Sequence, residues 1–401
     1  MKRFLYSLAS TFLCAVATAQ QIPSSQEVAA AKKAPPKSNT GDNKTQKNIF
    51  MPPEDMLPDS YAASYNAPAG VSVKNDDNWM PNAFIDLSFL YYYGTEDGLD
   101  LANSAMLVSS SGSFITAATT NSVALQQDFD YKPAFKIGLG SNFREWKLSG
   151  EYTWVRQSTY TNSNAQAPIP SGVAVWVLNN WFEQTTPSAN QALSATKITS
   201  KWKLAMDLAD VVAGRPYYEG KNLILSSFYG LRGAWIRQTV NVGASVSSLI
   251  FSDPSASVIY SRNHSNSWGV GPRAGFEASC LLGMGFRFEG DAAASVLYTK
   301  YTSIEHSEQA ASLAAVPSKL GLTMNQYVTV RPELDMSIGF GWGTYLDGQT
   351  YHIDFSAKYD FAVFWQQNMI RKLLDQAVAG TGAAAGNLYL QGLNVRGSFD
   401  F

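Results

Sequence analysis

From Asn82 to Phe401 apolar and polar residues alternate one by one, the period of a strand whose two faces meet different surroundings. The first run sets Ile85, Leu87, Phe89, Tyr91 and Tyr93 on one face and Asp86 and Ser88 on the other. In the second, Tyr131, Pro133, Phe135, Ile137 and Leu139 alternate with Lys132, Lys136 and Gly138; in the third, Trp146, Leu148, Tyr152 and Trp154 alternate with Lys147, Ser149, Glu151 and Thr153. The fourth opposes Ile198, Trp202, Leu204, Met206 and Leu208 to Lys197, Lys201, Lys203 and Asp207, and the fifth opposes Leu225, Tyr229, Leu231 and Trp235 to Ser226, Gly230 and Arg232. Trp268, Val270, Ala274 and Phe276 then face away from Arg273 and Glu277, and Met284, Phe286, Phe288, Val296 and Tyr298 away from Arg287, Glu289 and Asp291. The eighth run sets Val328, Val330, Leu334, Met336, Ile338, Phe340 and Trp342 against Arg331, Glu333 and Asp335. The ninth sets Tyr351, Ile353, Phe355, Tyr359, Phe361 and Val363 against His352, Asp354, Lys358 and Asp360. The last sets Tyr389, Leu393, Val395, Phe399 and Phe401 against Asn394, Arg396, Ser398 and Asp400.

These are ten strands, joined alternately by long and short connections. Outer-membrane barrels are built this way, with short periplasmic turns and long external loops. The pattern predicts an all-β fold, a transmembrane antiparallel up-and-down β-barrel over residues 79–401. The segments 103–127 and 240–262 hold Thr-, Val- and Ser-rich pieces that can add a hairpin, so twelve strands is the alternative. The apolar face carries Trp, Tyr and Phe near strand ends, as in the aromatic girdles of such barrels. Backbone in lipid must be paired internally, so strands cross only as a closed sheet.

Ahead of the strands, Lys2 and Arg3 precede an apolar run from Phe4 to Ala17 that is too short to span a bilayer, followed by the small residues of Ala17-Thr18-Ala19. This reads as a secretory signal peptide over 1–19, cleaved after Ala19. Leu13 is too bulky beside Cys14 for a lipid-attachment site. Residues 20–78 are rich in Ala, Pro, Ser, Asn and Lys without either period, and read as a flexible periplasmic extension.

Composition agrees with a lipid-facing sheet. Charged residues make up 15% of the chain and aromatics 13%, whereas soluble domains average about 25% charged. Loss of Lys2 and Arg3 with the signal lowers 30 basic residues to 28 against 32 acidic ones, a net charge near −4 that gives nucleic-acid binding no support. Cys280 would then stand alone as a small half-buried residue with no internal disulfide partner.

The register of Tyr389, Leu393, Val395, Phe399 and Phe401, ending on an aromatic at the last position, has the form that the barrel-assembly machinery reads in its clients. The expected destination is the cell outer membrane, with outer-membrane lipid and that machinery as partners and homo-oligomerisation left open. Trp268-Gly-Val-Gly-Pro-Arg-Ala-Gly275, Gly230-Leu-Arg-Gly-Ala-Trp235, Gln366-Gln367-Asn368 and Leu390-Gln391-Gly392-Leu393 resemble the major-outer-membrane-protein-like pore-forming family of chlamydia-related and legionella-type bacteria. The resemblance runs over most of 82–401 and implies a porin for passive diffusion of small hydrophilic solutes and ions. It departs from the cysteine-rich, disulfide-crosslinked chlamydial members in retaining Cys280 alone after signal cleavage.

Candidate chemistry is sparse. No metal or nucleotide motif stands out and no cofactor is expected. His264 and His306 fall in expected external loops, while His352 shares the inner face with Asp354 but lacks a nucleophile at interpretable spacing, which argues against an enzyme. The expected pore lining is Lys132, Lys136, Lys147, Glu151, Lys197, Lys201, Lys203, Arg232, Arg273, Glu277, Arg287, Glu289, Asp291, Arg331, Glu333, Asp335, Asp354, Lys358 and Asp360. Its first half is mostly basic and its second mostly acidic, so closing the sheet is expected to set a basic wall opposite an acidic one. A barrel of roughly eight strands is filled by side chains whereas 16 to 18 leave an aqueous channel. A non-conducting structural or adhesive barrel is therefore the alternative. Among the loops, Trp176 to Phe182 is an aromatic patch expected to pack inward, and Glu305–Val316 and Met369–Gln376 are candidate short helices at the mouth.

Overall fold

The computed structural model of the chain describes residues 82–110, 113–117, 122–143, 146–165, 173–178, 181–182, 194–219, 223–246, 258–310, 320–346, 351–379 and 385–401. The expected signal peptide (1–19) and extension (20–78) lie outside the described residues. In chain order the elements are β1 (Asn82–Glu96), β2 (Asp100–Ser110), β3 (Ser113–Ala117), β4 (Ala124–Gln126), β5 (Tyr131–Phe143), β6 (Trp146–Asn164) and β7 (Val173–Leu178), then β8 (Ser194–Glu219), β9 (Leu223–Val246), β10 (Val258–Gly283), β11 (Phe286–Ala310), β12 (Leu320–Leu346), β13 (Tyr351–Asn368), α1 (Met369–Ala379) and β14 (Gly386–Asp400).

Ten of these strands close into an antiparallel ring, β1-β5-β6-β8-β9-β10-β11-β12-β13-β14 and back to β1. They are the ten runs of alternation in the sequence. The Ser-, Thr- and Val-rich segments do not enlarge the ring: β2, β3, β4 and β7 form a small sheet attached to β8, while 240–246 and 258–262 lengthen β9 and β10. The ring shuts where the first and last strands meet, with Ile85 opposite Phe399 and Phe89 opposite Val395. Phe401 extends that seam by one more rung. Its N–H donates to Ala83 O at 2.9 Å and its carbonyl accepts from Ala83 N–H at 3.1 Å.

Connections alternate as the sequence implies. Among the described residues a tight turn between β10 and β11, Gly283-Met284-Gly285, has three φ angles of 95°, 51° and 96° in the left-handed region. Two glycines accept that backbone at no steric cost. On the opposite rim lie the long connections and α1, whose first turn is capped by Asn368 Oδ1 accepting from Arg371 N–H at 3.2 Å. The helix begins at the expected residue. By contrast, 305–310 continue β11 as strand, and His264 and His306 sit on β10 and β11 and not in loops.

Several strands are much taller than a bilayer needs. β8 and β10 have 26 residues and β12 has 27; at about 3.3 Å per residue and a tilt near 45°, such strands rise roughly 60 Å, against an apolar band of about 25 Å. The outward face records where that band stops. Leu87, Leu139, Leu148, Tyr229, Leu231, Phe288, Phe340 and Phe355 are exposed on the outside of the short-turn half. Trp154, Trp235 and Trp268 lie on one register row across β6, β9 and β10, since Trp235 pairs with Trp268 and both Trp154 and Trp235 pair with Asp207. Above them the faces exchange character. On β8, Ile198, Trp202, Leu204 and Met206 point inward and are buried, as is Leu208 just below that row, with Lys197, Lys201 and Lys203 exposed outside. The expectation for this strand is thus inverted: three lysines assigned to the lumen face outward. The reason is a change of solvent, because above the lipid the outside is water and the packed interior is the apolar phase.

Deleting Phe401 removes both hydrogen bonds to Ala83 and the aromatic contact with Phe399, whose ring centroid lies 5.9 Å away. The deletion should slow assembly and reduce the fraction showing heat-modifiable gel migration; wild-type migration and yield would show that the seam does not need its last rung.

Candidate functional site

The lumen is divided into two layers. Its short-turn half is polar. Arg232 on β9 donates from Nη2 to Asp210 Oδ2 at 2.6 Å and from Nη1 to Asp335 Oδ2 at 2.8 Å, and it also bonds Glu333. Arg273 on β10 grips Asp335 with two nitrogens at 2.6 and 2.9 Å. Lys358 lies 3.1 Å from Asp291 and 3.2 Å from Glu289, Arg396 2.6 Å from Asp86, and Lys136 3.6 Å from Glu151. Asp360 accepts from Tyr92 at 2.6 Å and from Asn394 at 2.9 Å.

Nearest the short turns, Arg287 bridges Glu289 and Asp354, the latter at 2.5 Å, and His352 Nδ1 lies 2.7 Å from Asp400. Space for this packing comes from β12. A Cβ at Gly341 would lie 2.8 Å from the Arg287 guanidinium, and one at Gly343 would lie 2.7 Å from Asp354 Oδ2. Buried charges are retained where each has a partner at hydrogen-bond distance, which offsets the cost of leaving water.

These groups leave a cavity of about 230 Å³ within the membrane-spanning half of the barrel. Of the residues expected to line the lumen, Lys136, Lys147, Glu151, Arg232, Arg273, Glu277, Asp291, Glu333, Asp335, Lys358 and Asp360 border it. Arg287, Glu289 and Asp354 lie packed beneath it. Lys132 sits toward the long-loop rim, 3.3 Å from Asp130, and Arg331 lies against α1, donating to Gln366 Oε1 at 2.7 Å and to Met369 Sδ at 3.0 Å. Lys197, Lys201 and Lys203 are outside. Separate basic and acidic walls are absent among the described residues: Asp86, Glu151 and Asp210 sit among the bases, and Arg232 and Arg273 reach the acids of β12. Asp86, Asp210, Asn394 and Arg396 were not on the expected list, although their alternation with apolar neighbours signals an inner face.

The second layer is apolar, and the sequence did not disclose it. The cavity ends on Tyr92, Val155, Met206, Leu208, Phe364 and Leu390. Above these, Leu204, Trp202, Ile236, Val240, Leu297, Leu388 and Ile370 and Leu374 of α1 form one buried cluster inside the wall. Trp176, Trp181 and Phe182 join it, so the aromatic patch packs inward; the Trp181 indole N–H donates to Asp100 O at 2.8 Å. On its other side α1 buries Met369 and Leu373 against Tyr301 and Ile304 of β11. Trp202 Nε1 and Gln238 Nε2 donate to the two oxygens of Glu96 at 3.1 and 2.8 Å, satisfying the polar edges of this plug.

The family model described as the Legionella pneumophila major outer membrane protein precursor matches residues 85–401. The chain belongs to this family. The protein is accordingly an outer-membrane β-barrel, as the closed sheet and its exposed apolar band require. Solved structures it is similar to include the outer membrane protease OmpT from Escherichia coli (8% identity, covering 82% of this chain and 98% of that one, TM-score 0.33). Others are OprG from Pseudomonas aeruginosa (9%, 79% and 95%, 0.23) and a FadL homologue from the same organism (8%, 84% and 96%, 0.24). No curated protein matches the chain. In this family member the charged half of the lumen is held by Arg232, which faces three carboxylates.

Arg232→Met would leave Asp210, Glu333 and Asp335 confronting one another with Arg273 as their nearest cation. Breaking a buried pair from one side costs about 3–5 kcal/mol, so the thermal transition of the refolded barrel in detergent should drop clearly. An unchanged transition would mean that the network does not support the wall.

Proposed function

We propose that the protein is a gated conduit for small hydrophilic solutes and ions, with the charged cavity as its selective chamber and the apolar layer as its gate. The observation that carries this reading is a cavity of about 230 Å³ in the membrane-spanning half, with room for several waters and bordered by paired cations and carboxylates. Barrels of roughly eight strands fill their interior with side chains, whereas this ten-strand ring leaves a cavity. Apolar constrictions close a conduit by excluding water, and they open when their lining moves apart. The plug here is made of side chains from β8, β9, β11 and β14, of Trp176, Trp181 and Phe182, and of one helix, so displacing α1 and the inner side chains of β8 would join the chamber to the outside.

Paired charges of both signs, arranged in one network, fit a pore that admits small ions of either sign with modest preference. His352 is fully buried against Asp400 and under Tyr345, whose ring lies 4.9 Å from its own, and it does not border the cavity. That burial favours a conduit over hydrolysis. A second reading, a non-conducting structural barrel, is favoured by the continuous apolar plug itself.

Recordings from refolded protein in planar bilayers separate the two. The gated conduit predicts small, infrequent conductance steps that become larger or more frequent in Trp202→Ala/Leu204→Ala, where the plug is thinned. It also predicts that Lys136→Gln/Arg273→Gln shifts the reversal potential toward cation preference. Silence of both wild type and the plug variant, across salts and voltages and with heat-modifiable folding intact, would establish the structural reading.

A further inference from the structure

Above the tryptophan level the outer wall carries a concentration of positive charge that conduction does not use. On the outward faces of β6, β8, β9 and β10 stand Arg156, Lys197, Lys201, Lys203, Arg237 and Arg262, with Asp207 as the single carboxylate among the described residues there. Asp207 is engaged by Arg156 at 2.9 Å and by Arg237 at 3.7 Å. No ion pair involves Lys197, Lys201, Lys203 or Arg262 among the described residues. On the next strand, β11, Lys300 and Glu305 offset one another in charge.

Height decides what these cations meet. Asp207 pairs with Trp154 and Trp235, and Lys203 and Lys201 follow four and six residues further from the membrane. At about 3.3 Å per residue and a tilt near 45°, they stand roughly 10 and 14 Å beyond the girdle. That is above the apolar band, on the water side of the girdle, at a height that a bulky sugar headgroup reaches and a phospholipid headgroup of roughly 5–7 Å does not. The surface is also shaped there. Tyr160, Lys201, Asn241 and Arg262 fall on one row across four strands, and with Tyr260 they border a groove of about 240 Å³ on the outside of the wall. Lys201 and Arg262 are two strands apart, about 10 Å, with the Asn241 amide between them and an aromatic ring at each edge.

We infer that this face is a binding site for a phosphorylated glycolipid of the outer leaflet, its phosphates held by Lys201, Lys203 and Arg262 and its sugar ring seated in the groove against Tyr160 and Tyr260. Guanidinium and ammonium groups bind phosphate through charge-assisted hydrogen bonds. The tyrosines supply flat apolar surface with a polar tip, suited to a sugar at a membrane interface. The lipid's acyl chains would then run down over Val211, Leu231 and Val270, which are exposed below the girdle. The site is independent of the pore reading, because every residue in it faces away from the lumen.

The test is binding of refolded full-length protein to three lipids in nanodiscs: bisphosphorylated lipid A, the same lipid with its phosphates removed, and phosphatidylglycerol. Wild type is expected to prefer the phosphorylated lipid A over both others by tenfold or more. Lys201→Gln/Lys203→Gln/Arg262→Gln should lose that preference, and Lys201→Arg/Lys203→Arg should keep it, both with wild-type heat-modifiable migration. Equal binding of the dephosphorylated lipid overturns the site. Equal binding of phosphatidylglycerol overturns the glycolipid assignment in favour of general charge attraction. These lipid comparisons on wild type stand whether or not the variants fold.

Discussion

Everything in this barrel follows from the need to pair backbone groups where no water can reach them. A strand in lipid has no other partner for its N–H and C=O groups than a neighbouring strand, and an open edge would leave a whole row unmade. The ring therefore closes, and it closes on the seam between β1 and β14, where the terminal Phe401 still makes two backbone bonds. With the backbone satisfied, the side chains are free to answer to two different environments. The wall is tall enough that these environments change along a single strand.

That change explains both what alternation revealed and what it concealed. A period of two says that a strand has unlike faces, and within the bilayer it also says which is which, since only an apolar residue can stand outside. Hence the ten strands, the outward Phe89, Leu231 and Phe355, and the inward Lys136, Arg273, Asp335 and Lys358 were all legible. Above Trp154, Trp235 and Trp268 the same alternation persists with the opposite meaning. Lys201 and Trp202 exchange places relative to expectation because water has moved outside and the packed interior has become the apolar phase. Nothing in the period itself marks that transition. The three tryptophans do, but their common row emerges only from strand register.

The charged half of the lumen was legible in residue type and less so in arrangement. Sequence separates bases on the early strands from acids on the later ones, yet Arg232 and Arg273 are long enough to reach β12, and Asp86 and Asp210 sit among the bases. A narrow barrel brings such groups within hydrogen-bond distance, so they pair across the interior and do not form opposed walls. The apolar plug was missed because its members lie far apart in the chain: Trp202 and Leu204 read as lipid-facing, Leu374 falls in a connection, and Ile236 and Leu297 are apolar residues on faces otherwise marked by charge. Trp202, Ile236, Leu297 and Leu374 become one cluster only when the ring is closed.

The account stands on where the lipid ends, and spin labels read that directly. Single cysteines in a Cys14→Ser/Cys280→Ser background at Val211 and Leu231, below the tryptophan row, and at Lys201 and Lys203, above it, would carry the label in turn on refolded protein in bilayers. Collision with oxygen should dominate at Val211 and Leu231, and collision with a water-soluble nickel chelate at Lys201 and Lys203. If Lys201 and Lys203 prove lipid-exposed, or shielded from both relaxers as in a packed lumen, the exchange of faces on β8 is wrong and the division of the barrel into membrane and projecting wall fails with it.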